Sequence, residues 1–242
     1  MAIKKRPVSP RQKMINLMYV VLMAMLALNV STEVLNGFSV VEESLNRTTV
    51  NAMQGNLAIY EDFAEQVKKN PQKVKQWFDR AQQVRQMSDS LFQLAADLKL
   101  AIVKEADGSD GDVTNIRNKE DLEAATQVML APGRGRGKEL YRAINSFRER
   151  ILSMVTDEAQ RKSIATSLST EPSRTAKAMG KNWQEYLFED MPVAAAVTML
   201  SKLQSDVRYA EGAVLHTLVS NIDVRISVSM RLTLMSFPMR RQ

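Results

Sequence analysis

The sequence predicts an all-α protein: a single N-terminal transmembrane helix, then an up-and-down helical bundle, then a short β-patterned tail. Residues 14–32 contain no charged side chain. Beyond them, apolar residues recur every three or four positions to about residue 222, which is the spacing of amphipathic helices. From residue 224 the apolar residues alternate with polar ones, which is typical of a strand.

The N-terminal segment consists of a basic leader, residues 1–13, and the predicted transmembrane helix, residues 14–32. An α-helix of that length reaches roughly 28 Å, close to the hydrocarbon thickness of a bilayer. Acidic residues follow it, so the positive-inside rule keeps the N-terminus in the cytoplasm and sends the rest across the membrane. The cations of the leader are Lys4, Lys5, Arg6, Arg11 and Lys13.

Two other interpretations of this segment remain. A cleaved signal peptide also joins a basic start to an apolar run, although this run is long for a signal core and residues 27–31 form a poor cleavage site. A buried helix of a soluble domain is the third interpretation. A long uncharged run at a terminus argues against it.

One side of the transmembrane helix is polar. Asn16, Tyr19 and Met23 follow i, i+3, i+7 spacing and therefore share a face. Polar groups are costly against lipid, so this face is expected to meet protein. Arg11 lies one turn before the apolar run. It either reaches the lipid headgroups or pairs with a carboxylate on a neighbouring helix, and the residues alone leave both open.

The bundle domain is predicted over residues 33–223. Its first helix ends at Asn70-Pro71, because proline disfavours helical backbone at the preceding residue. The second ends in the polar loop 107–112. The apolar stripe of the second helix is Val74, Trp77, Ala81, Val84, Met87, Leu91, Leu94, Leu98 and Ile102. Since each long helix is apolar on one side only, these helices must pack together.

Shorter helices are predicted between the long ones, and a third long helix follows them. Thr156 or Asp157 is the expected N-cap of one short helix. The predicted ranges are 119–130, 138–157, 158–167, 174–180 and, for the long helix, 192–222.

The tail, residues 224–242, carries the alternating strand pattern. One strand cannot form a sheet alone. The tail therefore begins a further domain, adds to the edge of a partner's sheet, is disordered, or is not native sequence. No function is assigned to it.

The composition argues against several classes of site. The chain has 242 residues and no cysteine, which excludes disulfides, thiol catalysis and cysteine metal sites. Its net charge is +6, but the cations are interleaved with acids, which argues against nucleic-acid binding.

Three features resemble parts of known binding sites, but each lacks residues that the site requires. The Gly-Lys pair at 137–138 lacks the first glycine and the Ser or Thr of a phosphate-binding loop. The single histidine, His216, has no partners for a metal centre. The acidic loop 107–112 lacks the glycine and glutamate of a calcium loop. No catalytic residue, cofactor, metal or small-molecule substrate is predicted.

Two blocks of sequence carry a family resemblance. Residues 10–19, PRQKMINLMY, and 24–31, AMLALNVS, form the first. Residues 183–188, WQEYLF, Pro192 and residues 200–208, LSKLQSDVR, form the second. Over about residues 8–223 the chain resembles the N-terminal portion of the GldM/PorM family.

The resemblance implies a single-pass subunit of the bacterial inner membrane, with its bulk in the periplasm, that serves type IX secretion and gliding. Family members form a homodimer whose two membrane helices thread a ring of GldL subunits, thought to number five. Proton flow drives this motor, and the periplasmic part carries the motion outward. The matching motif implies that Arg11 pairs with a GldL glutamate and that Tyr19 lines the contact with the ring.

The expected function is therefore that of a central motor shaft, with no enzymatic activity. Its expected partners are GldL, a second copy of the chain, further periplasmic secretion components and the bilayer. The alternative function is a periplasmic interaction module on a passive membrane anchor without proton coupling.

Overall fold

The computed structural model describes residues 10–28 and 31–235, and their regular structure is entirely helical. This confirms the predicted all-α bundle. The helices within these residues are α1 (Pro10–Leu28), α2 (Thr32–Lys69), α3 (Pro71–Asp107), α4 (Ala124–Leu130), α5 (Gly137–Met154), α6 (Glu158–Ser167), α7 (Arg174–Ala178), α8 (Trp183–Phe188) and α9 (Val193–Met235).

Three long helices form the frame of the bundle. They are α2, α3 and α9, with 38, 37 and 43 residues. The hydroxyl of Thr198 donates to the carbonyl of Phe38 near the start of α2, and Asn56 lies beside Gly212 further along both helices. The helices α2 and α9 are therefore parallel, and α3 runs antiparallel to both.

The turn between α2 and α3 is the predicted Asn70-Pro71 stop. The N–H of Asn70 donates to the carbonyl of Gln66, which closes α2. Pro71 occupies the first position of α3. Proline suits that position because its fixed φ is helical and its missing N–H would have no partner within the helix.

The short helices cover one side of the long ones, and α4, α5, α6 and α8 pack against α3 or α9. Asp157 caps α6 by accepting from the N–H of Gln160, as one of the two predicted caps. No helix was predicted at α8, where Asn182 and Glu185 form a reciprocal capping box. The largest fully buried side chains of the resulting core include Phe63, Leu98, Ile102, Ile151, Phe188 and Leu215.

The loop before α4 also holds the start of α9. The carboxylate of Asp121 accepts from the N–H groups of Glu123 and Ala124, so α4 begins later than the predicted residue 119. The backbone carbonyls of Lys119 and Asp121 accept from the N–H groups of Ala194 and Val193. These bonds satisfy two of the N–H groups that a helix start leaves without partners.

The prediction of a β-patterned tail is wrong for residues 224–235, because α9 continues as helix to Met235. A strand needs a neighbour for its backbone hydrogen bonds, whereas a helix supplies them from within the same segment. Residues 236–242 of the predicted tail lie outside the described residues.

The predicted leader and membrane helix are described in part. Residues 10–13 of the leader belong to α1, and residues 1–9 lie outside the described part. Within the predicted segment 14–32, α1 ends at Leu28, α2 begins at Thr32, and residues 29–30 are not described. Among the described residues, no helix combines the length and the apolar character needed to cross a membrane.

Candidate functional site

The residues predicted from the sequence to form a site all lie on α1. Asn16, Tyr19 and Met23 are exposed, and their spacing places them on one face of this helix. The amide of Gln12 donates to the side-chain oxygen of Asn16 at 3.3 Å. The structure therefore brings the three predicted contact residues together on one continuous helix.

Arg11 lies in the first turn of α1, and its side chain is exposed. That turn contains no acidic residue. The N-terminal end of a helix carries a partial positive charge, so a cation there gains nothing from its own helix. A carboxylate on a neighbouring chain would compensate the positive charge of Arg11.

Apolar side chains surround the predicted contact face. From Met14 to Met23 every large apolar side chain of α1 is exposed, including Leu17, Met18 and Val20 at 64–70%. Continuous apolar surface of this kind marks contact with protein or membrane. This part of the chain is therefore the candidate contact surface.

Inside the bundle, a first polar node joins the three long helices. It consists of Glu42 on α2, Lys99 on α3, and Ser201 and Gln204 on α9. The Nζ of Lys99 donates to Ser201 Oγ at 2.7 Å, to Gln204 Oε1 at 3.1 Å and to Glu42 Oε1 at 3.3 Å. Ser201 in turn donates to Glu42 Oε1 at 2.7 Å. Lysine carries three donors, and this node uses all of them.

The first polar node is shielded from water. Lys99 is only 7% exposed, although lysine is almost never buried without a partner. The second carboxylate oxygen of Glu42, Oε2, is buried and has no hydrogen-bond partner among the described residues. The charge pair is thus held in a medium where its attraction is strong and its desolvation costly.

A second polar node lies further along the same seam. It consists of Asn56 and Tyr60 on α2, Asp89 on α3, and Arg208 and Glu211 on α9. The guanidinium of Arg208 contacts Glu211 Oε2 and Asp89 Oδ1, both at 2.8 Å. Asn56 donates to Glu211 Oε2 at 3.2 Å and to the carbonyl of Arg208 at 3.0 Å. Tyr60 donates to Glu211 Oε1 at 2.7 Å.

Electrostatics keeps the hydroxyl of Tyr60 and the guanidinium of Arg208 protonated. Burial, together with the carboxylate of Glu211, raises the pKa of Tyr60 well above its ordinary value, so its hydroxyl remains a donor. Burial alone would lower the pKa of Arg208, but its hydrogen bonds to Glu211 and Asp89 outweigh this and raise it. The guanidinium carbon also lies 4.5 Å from the centre of the Phe92 ring.

A glycine on α9 makes room for the second polar node. A Cβ at Gly212 would lie 2.7 Å from the side-chain oxygen of Asn56. That distance is far inside van der Waals contact, so only glycine fits without moving Asn56. The close approach brings α2 and α9 together at the level where Asn56 bonds to Arg208 and Glu211.

The motifs that imitate known sites have structural partners instead. The buried carboxylate of Asp107 accepts from the N–H groups of Arg117 and Asn118, and Asp110 pairs with the guanidinium of Arg117 at 2.9 Å. Arg136, in the glycine-rich loop, pairs with Glu139 at 2.8 Å. His216 is exposed. Among the side chains that the structure describes, no group of three or more His, Asp or Glu could hold a metal ion.

The two polar nodes were not predicted from the sequence, although α9 carries a signal of them. Ser201, Gln204, Arg208 and Glu211 follow one another at spacings of three, four and three, so they form a polar row on α9. The other residues of that helix that the structure describes as buried are apolar apart from Thr198 and Thr217. Such a row within a core stripe indicates buried polar partners on neighbouring helices.

Comparison with known proteins gives one match. The family model described as the GldM N-terminal domain matches residues 33–221. That span contains both polar nodes and the whole of the short-helix layer. No curated protein matches the chain.

Proposed function

Because the chain belongs to the GldM family, we propose that it is the central shaft of an inner-membrane motor driven by the proton motive force. Membership makes the protein a component of the gliding and type IX secretion machinery. In the proposed assembly, a homodimer of the chain stands inside a ring of five GldL subunits. The observation that carries the proposal is the family match over residues 33–221.

The proposed topology places the leader in the cytoplasm, residues 14–32 in the inner membrane and the bundle in the periplasm. The basic leader and the exposed apolar side chains of α1 support this arrangement. The proposed span extends past Leu28, the last described residue of α1.

Arg11 is the proposed coupling residue, paired with a glutamate of the GldL ring. An ionised carboxylate in a membrane is expensive, so it either takes up a proton or finds a cation. Arginine keeps its charge throughout and is therefore a fixed partner for a carboxylate whose protonation changes. Moving one elementary charge through 100 mV supplies about 2.3 kcal/mol, which is enough to bias a conformational step.

Asn16, Tyr19 and Met23 form the proposed contact face towards the ring. Two central helices inside a ring of five cannot make identical contacts with every ring subunit. Protonation of successive ring sites would then favour successive orientations of the central pair. The flexible thioether of Met23 suits a surface whose neighbours change.

The alternative is a periplasmic interaction module held by a passive anchor. A passive anchor needs an apolar segment of sufficient length, and it tolerates the loss of Arg11. The two functions therefore differ in their sensitivity to one side chain.

The deciding experiment replaces Arg11 by Gln and uses Lys13→Gln as a matched control, since Lys13 is also exposed on α1 and the control removes the same charge. We expect Arg11→Gln to abolish secretion and gliding while GldL still co-purifies with the chain, and Lys13→Gln to behave as wild type. Normal secretion by Arg11→Gln would refute the coupling and favour the passive anchor.

A further inference from the structure

Each of the two polar nodes contains side chains from all three long helices. Each node takes at least one charged or polar side chain from α2, from α3 and from α9. Each node therefore ties all three long helices together at one level of the bundle. The first lies near the start of α2 and the second in its distal half.

The nodes fix how the helices are aligned along their length. Ser201 on α9 donates to Glu42 on α2, Lys99 on α3 reaches both of them, and Tyr60 on α2 donates to Glu211 on α9. A slip of one helical turn moves a side chain by about 5.4 Å. That distance exceeds any hydrogen bond, so a slipped bundle would leave buried charges without partners.

Apolar packing alone does not enforce alignment this strictly. Hydrophobic attraction is non-directional, and cores accept repacking when their volume is kept. Buried ion pairs are costly to desolvate, and well-packed apolar residues often replace them without loss of stability. An intact node therefore adds little net stability, whereas a node that has lost one of its charged partners is strongly destabilising.

We propose that the two polar nodes act as a register lock, so that α2, α3 and α9 move as one body and do not slide past one another. Lys99 and Glu42 are the positioning residues of the first node, and Arg208 and Glu211 those of the second. The claim that the nodes align the helices is argued from the contacts within the bundle. The further claim that this alignment helps to transmit motion rests on the proposed function.

The first test measures folding, on the full-length protein with a pair of adjacent glutamates. Glu42→Gln weakens the ion pair with buried Lys99, whereas Glu43→Gln makes the same change at a side chain that is 70% exposed. We expect Glu42→Gln to lower the folding equilibrium constant by about a hundredfold or more. Glu43→Gln should leave it nearly unchanged. Equal effects of the two variants would overturn the proposal.

The second test separates alignment from stability. An apolar variant replaces both nodes, because either one alone would still hold the register. The substitutions are Glu42→Leu, Lys99→Met, Ser201→Ala and Gln204→Leu in the first node, and Asn56→Ala, Tyr60→Phe, Asp89→Ala, Arg208→Met and Glu211→Leu in the second. The chain has no cysteine, so Arg47→Cys and Asp97→Cys, both at exposed positions of α2 and α3, give the only two labelling sites. Spin labels there report the α2–α3 alignment as a distance distribution.

We expect the apolar variant to fold as stably as wild type but to show a broadened distance distribution or a second population about one helical turn away. A single narrow distance equal to that of wild type would overturn the register lock, because packing alone would then align the helices.

Secretion by the apolar variant tests whether the lock carries motion. Loss of secretion with a broadened distance supports that use, and normal secretion with a broadened distance overturns it. The motor proposal fails on a different result, namely normal secretion by Arg11→Gln. That result does not depend on the spin-label distances, so the two failures can be told apart.

Discussion

The hydroxyl of Tyr60 donates a 2.7 Å hydrogen bond to Oε1 of Glu211, joining α2 to α9 between residues 151 positions apart. Glu211 is 1% exposed, and its other oxygen accepts from Asn56 and Arg208. The carboxylate thus has its charge compensated and both of its oxygens bonded. It forms the centre of the second polar node.

Tyr60→Phe tests this bond by removing a single oxygen atom. It leaves Glu211 Oε1 buried without the tyrosine donor, so we expect the free energy of unfolding to fall by about 1–3 kcal/mol. Urea denaturation of the full-length protein measures the change. Tyr209→Phe is the matched control, because Tyr209 lies on α9 two residues before Glu211 and its side chain is exposed. Equal stability of the two variants would contradict the proposed importance of the bond.

Gly212→Ala tests the close approach of α2 and α9. Alanine has the higher helix propensity by about 1 kcal/mol, but its Cβ would press on Asn56 at 2.7 Å. We expect the clash to dominate and to destabilise the protein by about 1–3 kcal/mol.

Gly55→Ala is the control for Gly212→Ala, since Gly55 is also helical and a Cβ there meets nothing within 4 Å. It should stabilise the protein by up to about 1 kcal/mol. Adding Asn56→Ala to Gly212→Ala should relieve the clash. The unfolding temperature measures both effects. A shift in the same direction for Gly212→Ala and Gly55→Ala would contradict the claim that the contact with Asn56 requires glycine at position 212.

Asp206 gives the bundle a predictable dependence on pH. Burial raises the pKa of its carboxyl above the ordinary 3.8, although Lys202 partly offsets the shift. The folded protein therefore holds this proton more tightly than the unfolded chain does. The resulting stability is fully present below pH 3.8 and is lost as the pH rises through the folded-state pKa.

Asp206→Asn removes that dependence. Relative to wild type, the variant should gain stability as the pH rises from about 4 towards neutrality, because asparagine does not ionise in this partly buried position. Urea midpoints of both proteins across this range measure the difference. A difference that stays constant with pH would show that this carboxyl does not contribute.

The contact face of α1 is tested by removing its polarity. Replacing Asn16 by Leu and Tyr19 by Phe makes the helix more apolar, so a passive anchor would keep its function. The motor proposal instead predicts reduced secretion and gliding, with the chain still in the membrane fraction. Met18→Leu, an exposed apolar position outside the face, is the control. Full activity of the double variant would show that the side chains of Asn16 and Tyr19 do not form the contact with the ring.

Local features of the fold were predictable because their causes lie close together in the chain. Pro71 disfavours helical backbone at Asn70, the residue directly before it, so the end of α2 has a local cause. Asp157 caps α6 with an oxygen that reaches a backbone N–H three residues ahead. The apolar spacing of the three long helices likewise reflects the one side that each of them buries.

The polar row of α9 indicates that buried partners exist, but which distant residues those partners are was not predictable. Lys99 looks like an ordinary surface lysine until α9 places Ser201 beside it, 102 positions later in the chain. The alternating pattern after residue 224 predicted a strand. It could not show that the preceding helix would continue through it to Met235. The contact face on α1 was predicted from the spacing of its residues, and the roles of Arg11 and Tyr19 from the family motif. Both predictions await the experiments described above.

An odd number of long helices has a consequence for reach. Because α2 and α9 point the same way, the polypeptide enters the bundle at one end and leaves it at the other. The 38 residues of α2 alone span about 57 Å at the usual helical rise. Two or four such helices would return the chain to its starting level. With three, the domain is a spacer that holds whatever precedes it and whatever follows it a full helix length apart.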